Sequence, residues 1–321
     1  MWLCRLVLRL AVPTTVLVLQ APYPAAARPP TLCDNLDQRV HRQGPEAIHS
    51  VWDQIQIRSR LFRIQPDWKF RLRVERIEPP PSNLESEYLL FQISDWAYGL
   101  EEYQYLIFLR EASGCRFVGN IDTHNRYGPP AHRIDSLGQG RIRLILQTYT
   151  STGTGIGKKR DDWYDIENGH VRHMLGYPAE GHESSASSLD QEFVATAVPL
   201  RLPNGTEAVD IHFAARYSGG PGPDGKPVEL FDTQRTARFV LDASSKRFRL
   251  AASRSTASRS YIQWLYGYII GNEKEFIELH FGELMQVATK GRIEQKQWLR
   301  AFIAQLKEQS PKAKVLGSRL K

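Results

Sequence analysis

Apolar and polar residues alternate along most of the chain between residues 64 and 253. The first clear case is Trp68 to Glu75, where apolar residues take the even positions and charged residues the odd ones. A period of two is typical of a β-strand with one buried face. Similar short runs recur, separated by turn signals such as Asn168-Gly169 and Pro203-Asn204-Gly205. The pattern predicts about ten to twelve antiparallel strands.

The segments between these runs are too short for helical crossovers, so a parallel sheet is not expected. The fold class predicted for residues 64–253 is therefore an antiparallel β-meander, making the protein mainly β. A propeller-like arrangement, a sandwich and an open barrel all fit the rhythm of strands and turns.

Two parts of the chain have helical spacing instead. A short helix is predicted from about Pro45 to Ile55, within an N-terminal arm of residues 28–63. In residues 254–310 the apolar positions repeat every three or four residues, as in Phe281, Leu284 and Ala288. This spacing predicts a C-terminal α-helical module of two or three helices. Residues 311–321 are predicted to form a basic flexible tail.

The first 27 residues have the features of a secretory signal peptide. Arg5 and Arg9 precede an apolar run, and Ala25-Ala26-Ala27 provides a small-residue cleavage site. The apolar run is short and interrupted by Pro13, so a membrane-spanning helix is the weaker interpretation. We therefore expect an exported protein, periplasmic or secreted, with no transmembrane span once the signal is removed.

The cysteine count agrees with export. Cys4 lies in the signal segment, which leaves Cys33 and Cys115 in the mature chain. Two cysteines in an exported chain predict one disulfide between the N-terminal arm and a β-hairpin. Two unpaired, buried thiols are the alternative, because sequence spacing alone cannot establish proximity.

Charge is concentrated at the C-terminus. The formal net charge is +7, and the last 36 residues contain nine Lys or Arg against two Glu. A basic segment can contact anionic lipids, glycans or nucleic acid, although it is more often a solvated helix face. Export disfavours nucleic acid. The partner predicted is an unknown protein or an anionic component of the cell envelope.

The densest glycines lie between Gly153 and Gly157, directly before a run of basic residues. Glycine-loop amides can bind phosphate, but neither the dinucleotide nor the P-loop spacing is present. A flexible hairpin tip is therefore predicted, within a hairpin spanning Leu144 to Tyr177. It is also the predicted ligand-binding loop, with these candidate residues: Gly153, Gly155, Lys158, Lys159, Asp162 and Trp163.

Carboxylates and imidazoles near this loop do not predict a metal site. Asp161, Asp162 and Asp165 lack the alternating oxygen ligands and closing glutamate of a calcium loop. His170 and His173 diverge if they lie on a strand, and no close cysteine or histidine pair accompanies His182. No metal or cofactor is predicted.

These observations predict a non-enzymatic binding or interaction protein of the cell envelope. An envelope hydrolase is the alternative, and it would need Asp161, Asp162, His170 or His182 to share one pocket. In a third interpretation the helical module binds a partner through Trp264, Tyr266 and Tyr268. The sequence contains no motif that identifies a ligand or a reaction.

Overall fold

A computed structural model describes residues 72–77, 87–95, 101–111, 114–138, 140–184, 189–222, 225–306 and 308–320. Four antiparallel strands form a small sheet in the order β1-β2-β3-β4. Their bounds are Leu72–Ile77, Glu87–Asp95, Glu101–Glu111 and Gly114–Asn125. Each strand pairs with the next one in sequence, which makes this sheet a meander.

Eight further strands form a large sheet in which every strand again pairs with its sequence neighbour. The strands are β5 (Ala131–Gly138), β6 (Arg141–Gly153), β7 (Ile156–Glu167), β8 (His170–Ser184), β9 (Leu189–Arg201), β10 (Glu207–Pro221), β11 (Pro227–Asp242) and β12 (Arg247–Leu250). The predicted antiparallel meander is thus confirmed, as two sheets that do not close into a barrel.

Five helices follow the large sheet. They are α1 (Arg259–Tyr266), α2 (Glu273–Leu279), α3 (Phe281–Lys290), α4 (Ile293–Gln305) and α5 (Pro311–Arg319). Their buried residues face one side of the large sheet and form the helix core, which includes Val209, Phe213, Trp264 and Leu299. The C-terminal helical module is therefore confirmed, with more helices than the two or three expected.

A second core joins the two sheets. Tyr105 and Ile107 of the small sheet pack with Leu144, Leu146 and Ile166 of the large sheet. We call this the intersheet core. Neighbouring residues on β6 alternate between the cores, since Ile145 belongs to the helix core. The middle of β6 is therefore buried on both faces, as its apolar run Leu144-Ile145-Leu146 requires.

Turn chemistry explains the tight connections of the large sheet. Asn168 and Gly169 join β7 to β8 with φ values of 50° and 72°. Positive φ at both central residues is the signature of the type I′ hairpin turn, for which Asn-Gly is the preferred pair. This turn was predicted from the dipeptide, and the register on either side of it agrees.

The predicted flexible tail is instead a docked helix in the described residues 311–320. Pro311 opens α5, and the Ser310 hydroxyl accepts a hydrogen bond from the Ala313 amide as an N-cap. Leu316 and Leu320 are buried in the helix core. Their apolar contacts fix a segment whose composition is otherwise basic, because one stripe of small and aliphatic residues is enough to dock a short helix.

Several expectations fall on residues that the structure does not describe. The signal segment, the N-terminal arm with its short helix, Trp68, Phe70 and Cys33 lie outside the described residues, as does the side chain of Cys115. The Cys33–Cys115 disulfide therefore stays a prediction. Among the described residues, no helix combines the length and hydropathy needed to cross a bilayer.

Candidate functional site

The glycine segment predicted as a loop is a tight turn between two long strands. Gly153 is in register with Ile156, so only two residues connect β6 to β7. Gly155 has φ +75°, and its carbonyl accepts a hydrogen bond from the Ser184 amide at 2.7 Å. A Cβ on Gly155 would lie 2.2 Å from the Ser184 carbonyl oxygen. Glycine is therefore required here for close backbone approach.

Lys158, a candidate residue of the predicted ligand-binding loop, is buried. Its ammonium forms an ion pair with Glu183 at 2.8 Å, and the two side chains are 1% and 0% exposed. Lys158 also donates to the Gly267 carbonyl, and Glu183 accepts from the Ile269 amide at 2.8 Å. The pair thus fixes the connection between α1 and α2 onto strands β7 and β8. Burial lowers the pKa of Lys158, and Glu183 opposes that shift.

A polar chain continues from this ion pair into the helix core. The Gln191 amide donates to the Tyr217 hydroxyl at 3.0 Å, and its oxygen lies 3.4 Å from the Lys158 ammonium. The Tyr217 ring lies 4.6 Å from the ring of His280, which is fully buried. Burial, with a smaller effect of Arg235, lowers the pKa of His280 to about 3. His280 is therefore a neutral core residue at physiological pH.

Two further predicted site residues are also held by internal contacts. Trp163 is 1% exposed and lies in the helix core, with the Arg143 guanidinium 4.7 Å from its ring centroid. Asp162 contacts His173 at 2.7 Å and Arg160 at 2.6 Å. Of the six predicted residues, Lys158 and Trp163 are thus buried. The others stay accessible to different degrees.

The Asp and His residues named for a hydrolase are spread along the β7–β8 hairpin. His170 is opposite Glu167 beside the turn, whereas His182 is opposite Gly157 near the far end of β8. The two histidines are twelve positions apart on β8, which corresponds to at most roughly 40 Å of extended strand. Asp161 accepts from the Tyr177 hydroxyl at 2.9 Å, and burial raises the pKa of Asp161.

The aromatics proposed as a docking surface on the helical module are mostly internal. Trp264 is 3% exposed and packs in the helix core, and Tyr266 packs against the same core. Tyr268 is 46% exposed. A surface made by all three aromatics is therefore not formed.

The large sheet has an outer face, opposite the face that packs against the helices. On β10, Phe213, Ala215 and Tyr217 are buried against the helices, whereas Ala214 and Arg216 are exposed. Within the described residues, the small sheet covers this outer face over β5 to β8, where the intersheet core forms. No residue of the intersheet core comes from β9 to β11, so the described part of the small sheet leaves their outer face open.

Three adjacent depressions mark this open face, and together we call them the outer groove. Their volumes are about 360, 380 and 460 Å³. Glu192 lines all three, His182 lines two, and Arg216 lines two. The second depression includes Lys159 and Gly157 from the predicted binding loop. The groove therefore joins the end of the β6–β7 hairpin to the middle of β9 and β10.

Charged side chains line the outer groove, with carboxylates in excess. Lys159 pairs with Glu180 at 2.5 Å, and Arg216 lies 3.3 Å from Asp232. The hydrogen bond to Glu180 raises the pKa of Lys159. The other charged lining residues are Asp190, Glu192, Lys226 and Glu229, besides the buried Glu183. Burial raises the pKa of Asp190.

No protein-family model matches the chain, and no curated protein is detectably similar to it. Within the described ranges, no three His, Cys, Asp or Glu side chains are placed to hold a metal ion.

Glu192 and Arg216 were not among the residues selected from sequence. The sequence does indicate their orientation, because each alternates with buried neighbours and must therefore point away from the helix core. What the alternation cannot indicate is which part of that outer face the small sheet covers. That depends on contacts between strands far apart in sequence.

Proposed function

We propose that this chain is an exported, non-enzymatic binding or interaction protein of the cell envelope, and that its partner occupies the outer groove. One observation carries the proposal. Three depressions meet at Glu192 on the stretch of the large sheet that neither the helices nor the small sheet covers. Concave surfaces with convergent polar groups are where proteins most often hold ligands.

Charge selects between the two partner classes expected from sequence. Carboxylates outnumber cations along the groove, and two of the cations, Lys159 and Arg216, already face Glu180 and Asp232. Complementary potentials promote association, and like charges oppose it. A protein partner that presents Lys or Arg therefore fits the groove better than an anionic polymer.

A binding role also agrees better with the geometry than the hydrolase alternative. Only His182, of the four side chains named for hydrolysis, lines the groove. Asp161 and Asp162 of β7 contact Tyr177 and His173 of β8, outside the groove. His170 lies at the opposite end of β8 from His182. General acid–base catalysis needs its groups within hydrogen-bonding reach of one substrate.

The test compares two charge reversals of equal size. Glu192→Lys changes the centre of the outer groove, and Glu275→Lys changes an exposed carboxylate on α2. Binding of fluorescein-labelled oligolysine and oligoglutamate to each variant is followed by anisotropy at low salt. We expect wild-type protein to prefer oligolysine, and Glu192→Lys to weaken that binding by about tenfold, or about 1.4 kcal/mol.

Glu275→Lys serves as the control because it alters the net charge by the same amount. It should leave the affinity for oligolysine within about twofold of wild type. Equal losses in the two variants would indicate a non-specific charge effect and would overturn the assignment of the groove. A preference for oligoglutamate in wild-type protein would overturn the partner class.

A further inference from the structure

The strands β8 and β9 pair over only a short part of their length. They contain 15 and 13 residues, yet their ladder has five residue pairs, from Glu180–Val194 to Ser184–Asp190. Beyond Val194, β9 continues to Arg201 in register with β10. Within the part of the chain that the structure describes, residues 195–201 therefore pair on one side only.

Pro199 indicates which backbone groups face the free side. Proline within a sheet is tolerated where its nitrogen points away from the ladder, and Pro199 is in register with Val209 of β10. Its nitrogen then points away from β10. In an antiparallel ladder alternate residues point the same way, so the N–H and C=O groups of Ala195 and Ala197 also face the free side.

The side chains along this edge favour pairing with another strand. Residues 193–200 contain no charged side chain. Val194 and Val198 are 52% and 44% exposed on the outer face. β-branched residues at alternate positions pack well against a neighbouring strand. Exposed strand edges are usually protected by charge or by proline, and here Pro199 alone interrupts the run.

We infer that a partner of this protein adds an extended peptide segment to the β9 edge at residues 195–198, antiparallel to β9. The inference rests on the proposed function and specifies how the partner binds. The spacing of N–H and C=O groups at alternate positions matches that of another extended backbone, which is the basis of strand addition. Val194 also lines the outer groove, so the edge and the groove form one continuous surface.

Charge at the two ends of the edge sets the direction of the peptide. Glu192 precedes the free segment, and Arg201 ends it. An antiparallel peptide should therefore carry an anionic residue at its amino end, near Arg201, and a cation at its carboxyl end, near Glu192. A short peptide of alternating valine and threonine, with glutamate first and lysine last, is the probe. A peptide with these two charges exchanged is the composition-matched control.

Hydrogen exchange of the full chain tests the inference directly. With the probe peptide bound, the amides of Ala195 and Ala197 should exchange at least about tenfold more slowly than in the free protein. The charge-exchanged peptide should give weaker protection. Peptide binding without protection of these two amides would overturn strand addition.

A proline variant gives an independent readout. Ala197→Pro removes an N–H from the free side while leaving the ladder to β10 intact, so the fold should persist. Thr196→Val is the control because it changes a side chain and retains every amide. We expect about tenfold weaker peptide binding for Ala197→Pro and no change for Thr196→Val. Equal binding by both variants would contradict the inference.

Hydrogen exchange of free wild-type protein covers the case in which Ala197→Pro fails to fold. The inference requires the Ala195 and Ala197 amides to exchange faster than their β9 neighbours, whose amides bond to β10. Slow exchange at both positions in the free protein would overturn it. Loss of oligolysine binding in Glu192→Lys without any peptide protection would leave the groove assignment intact and reject strand addition alone.

Discussion

Breaking the Lys158–Glu183 ion pair is expected to destabilise the protein more than any surface charge change. Both side chains are at most 1% exposed, and their charged atoms are 2.8 Å apart. Glu183→Gln leaves the ammonium of Lys158 buried without a counter-ion. Removing one partner of a buried pair typically costs about 3–5 kcal/mol, because the remaining charge is uncompensated.

The stability of Glu183→Gln should depend on pH because deprotonation of Lys158 removes the uncompensated buried charge. In Glu183→Gln the lysine can lose its proton, and doing so at pH 7 costs about 1.36 kcal/mol for each unit below its ordinary pKa of about 10.4. The loss of stability is therefore limited to roughly 4.6 kcal/mol at pH 7 and roughly 2 kcal/mol at pH 9. The unfolded state binds more protons in this range, so stability of the variant must rise with pH.

Urea unfolding followed by circular dichroism measures these differences. Lys158→Met combined with Glu183→Gln removes both charges and should be more stable than Glu183→Gln alone. The matched control is Lys159→Met with Glu180→Gln on the same two strands, where the side chains are 27% and 46% exposed. An exposed pair contributes at most about 1 kcal/mol. A cost below about 1 kcal/mol for Glu183→Gln, unchanged by pH, would refute this reasoning.

Three other predictions concern single residues. Because His280 has a folded pKa of about 3, the free energy of unfolding should fall by about 1.4 kcal/mol per pH unit from about pH 6.5 towards pH 3. A His280→Phe variant should lose this part of the pH dependence, as measured by urea unfolding at each pH. The same dependence of unfolding free energy on pH in wild type and variant would contradict the prediction. Gly155→Ala should lower the melting temperature because of its positive φ and its close backbone contact, whereas Gly153→Ala, with open space around it, should not. Leu316→Ala should lower the free energy of unfolding in urea by about 2–5 kcal/mol, and Val315→Ala, at an exposed position, by about 0.5 kcal/mol. Equal, small losses in both variants would instead support the predicted flexible tail.

The fold class could be predicted because its signal is local. Alternation on β10 and the Asn168-Gly169 turn each depend on neighbouring residues, and the structure agrees with both. The helix α5 also had a local signal, since Ser310 and Pro311 form an N-cap and first-turn pair. The basic composition around it led instead to the prediction of a tail.

The candidate site was harder to predict because it depends on distant contacts. Lys158 was grouped with Lys159 as a candidate of the ligand-binding loop, yet successive strand residues point to opposite faces. Which face is buried was decided by α1 and α2, more than 100 residues later, where the Gly267 carbonyl meets Lys158. The position of Glu192 beside the uncovered part of the sheet likewise follows from where the small sheet packs.

The most direct test of the binding proposal is to locate a bound probe on the protein. Oligolysine carrying a photoreactive group is bound to the full chain, crosslinked and mapped by mass spectrometry. If the partner occupies the outer groove, crosslinks form around Glu192 and Arg216, on the outer face of β8 to β11. Crosslinks confined to the helices α1 to α5, with none on that face, would contradict it.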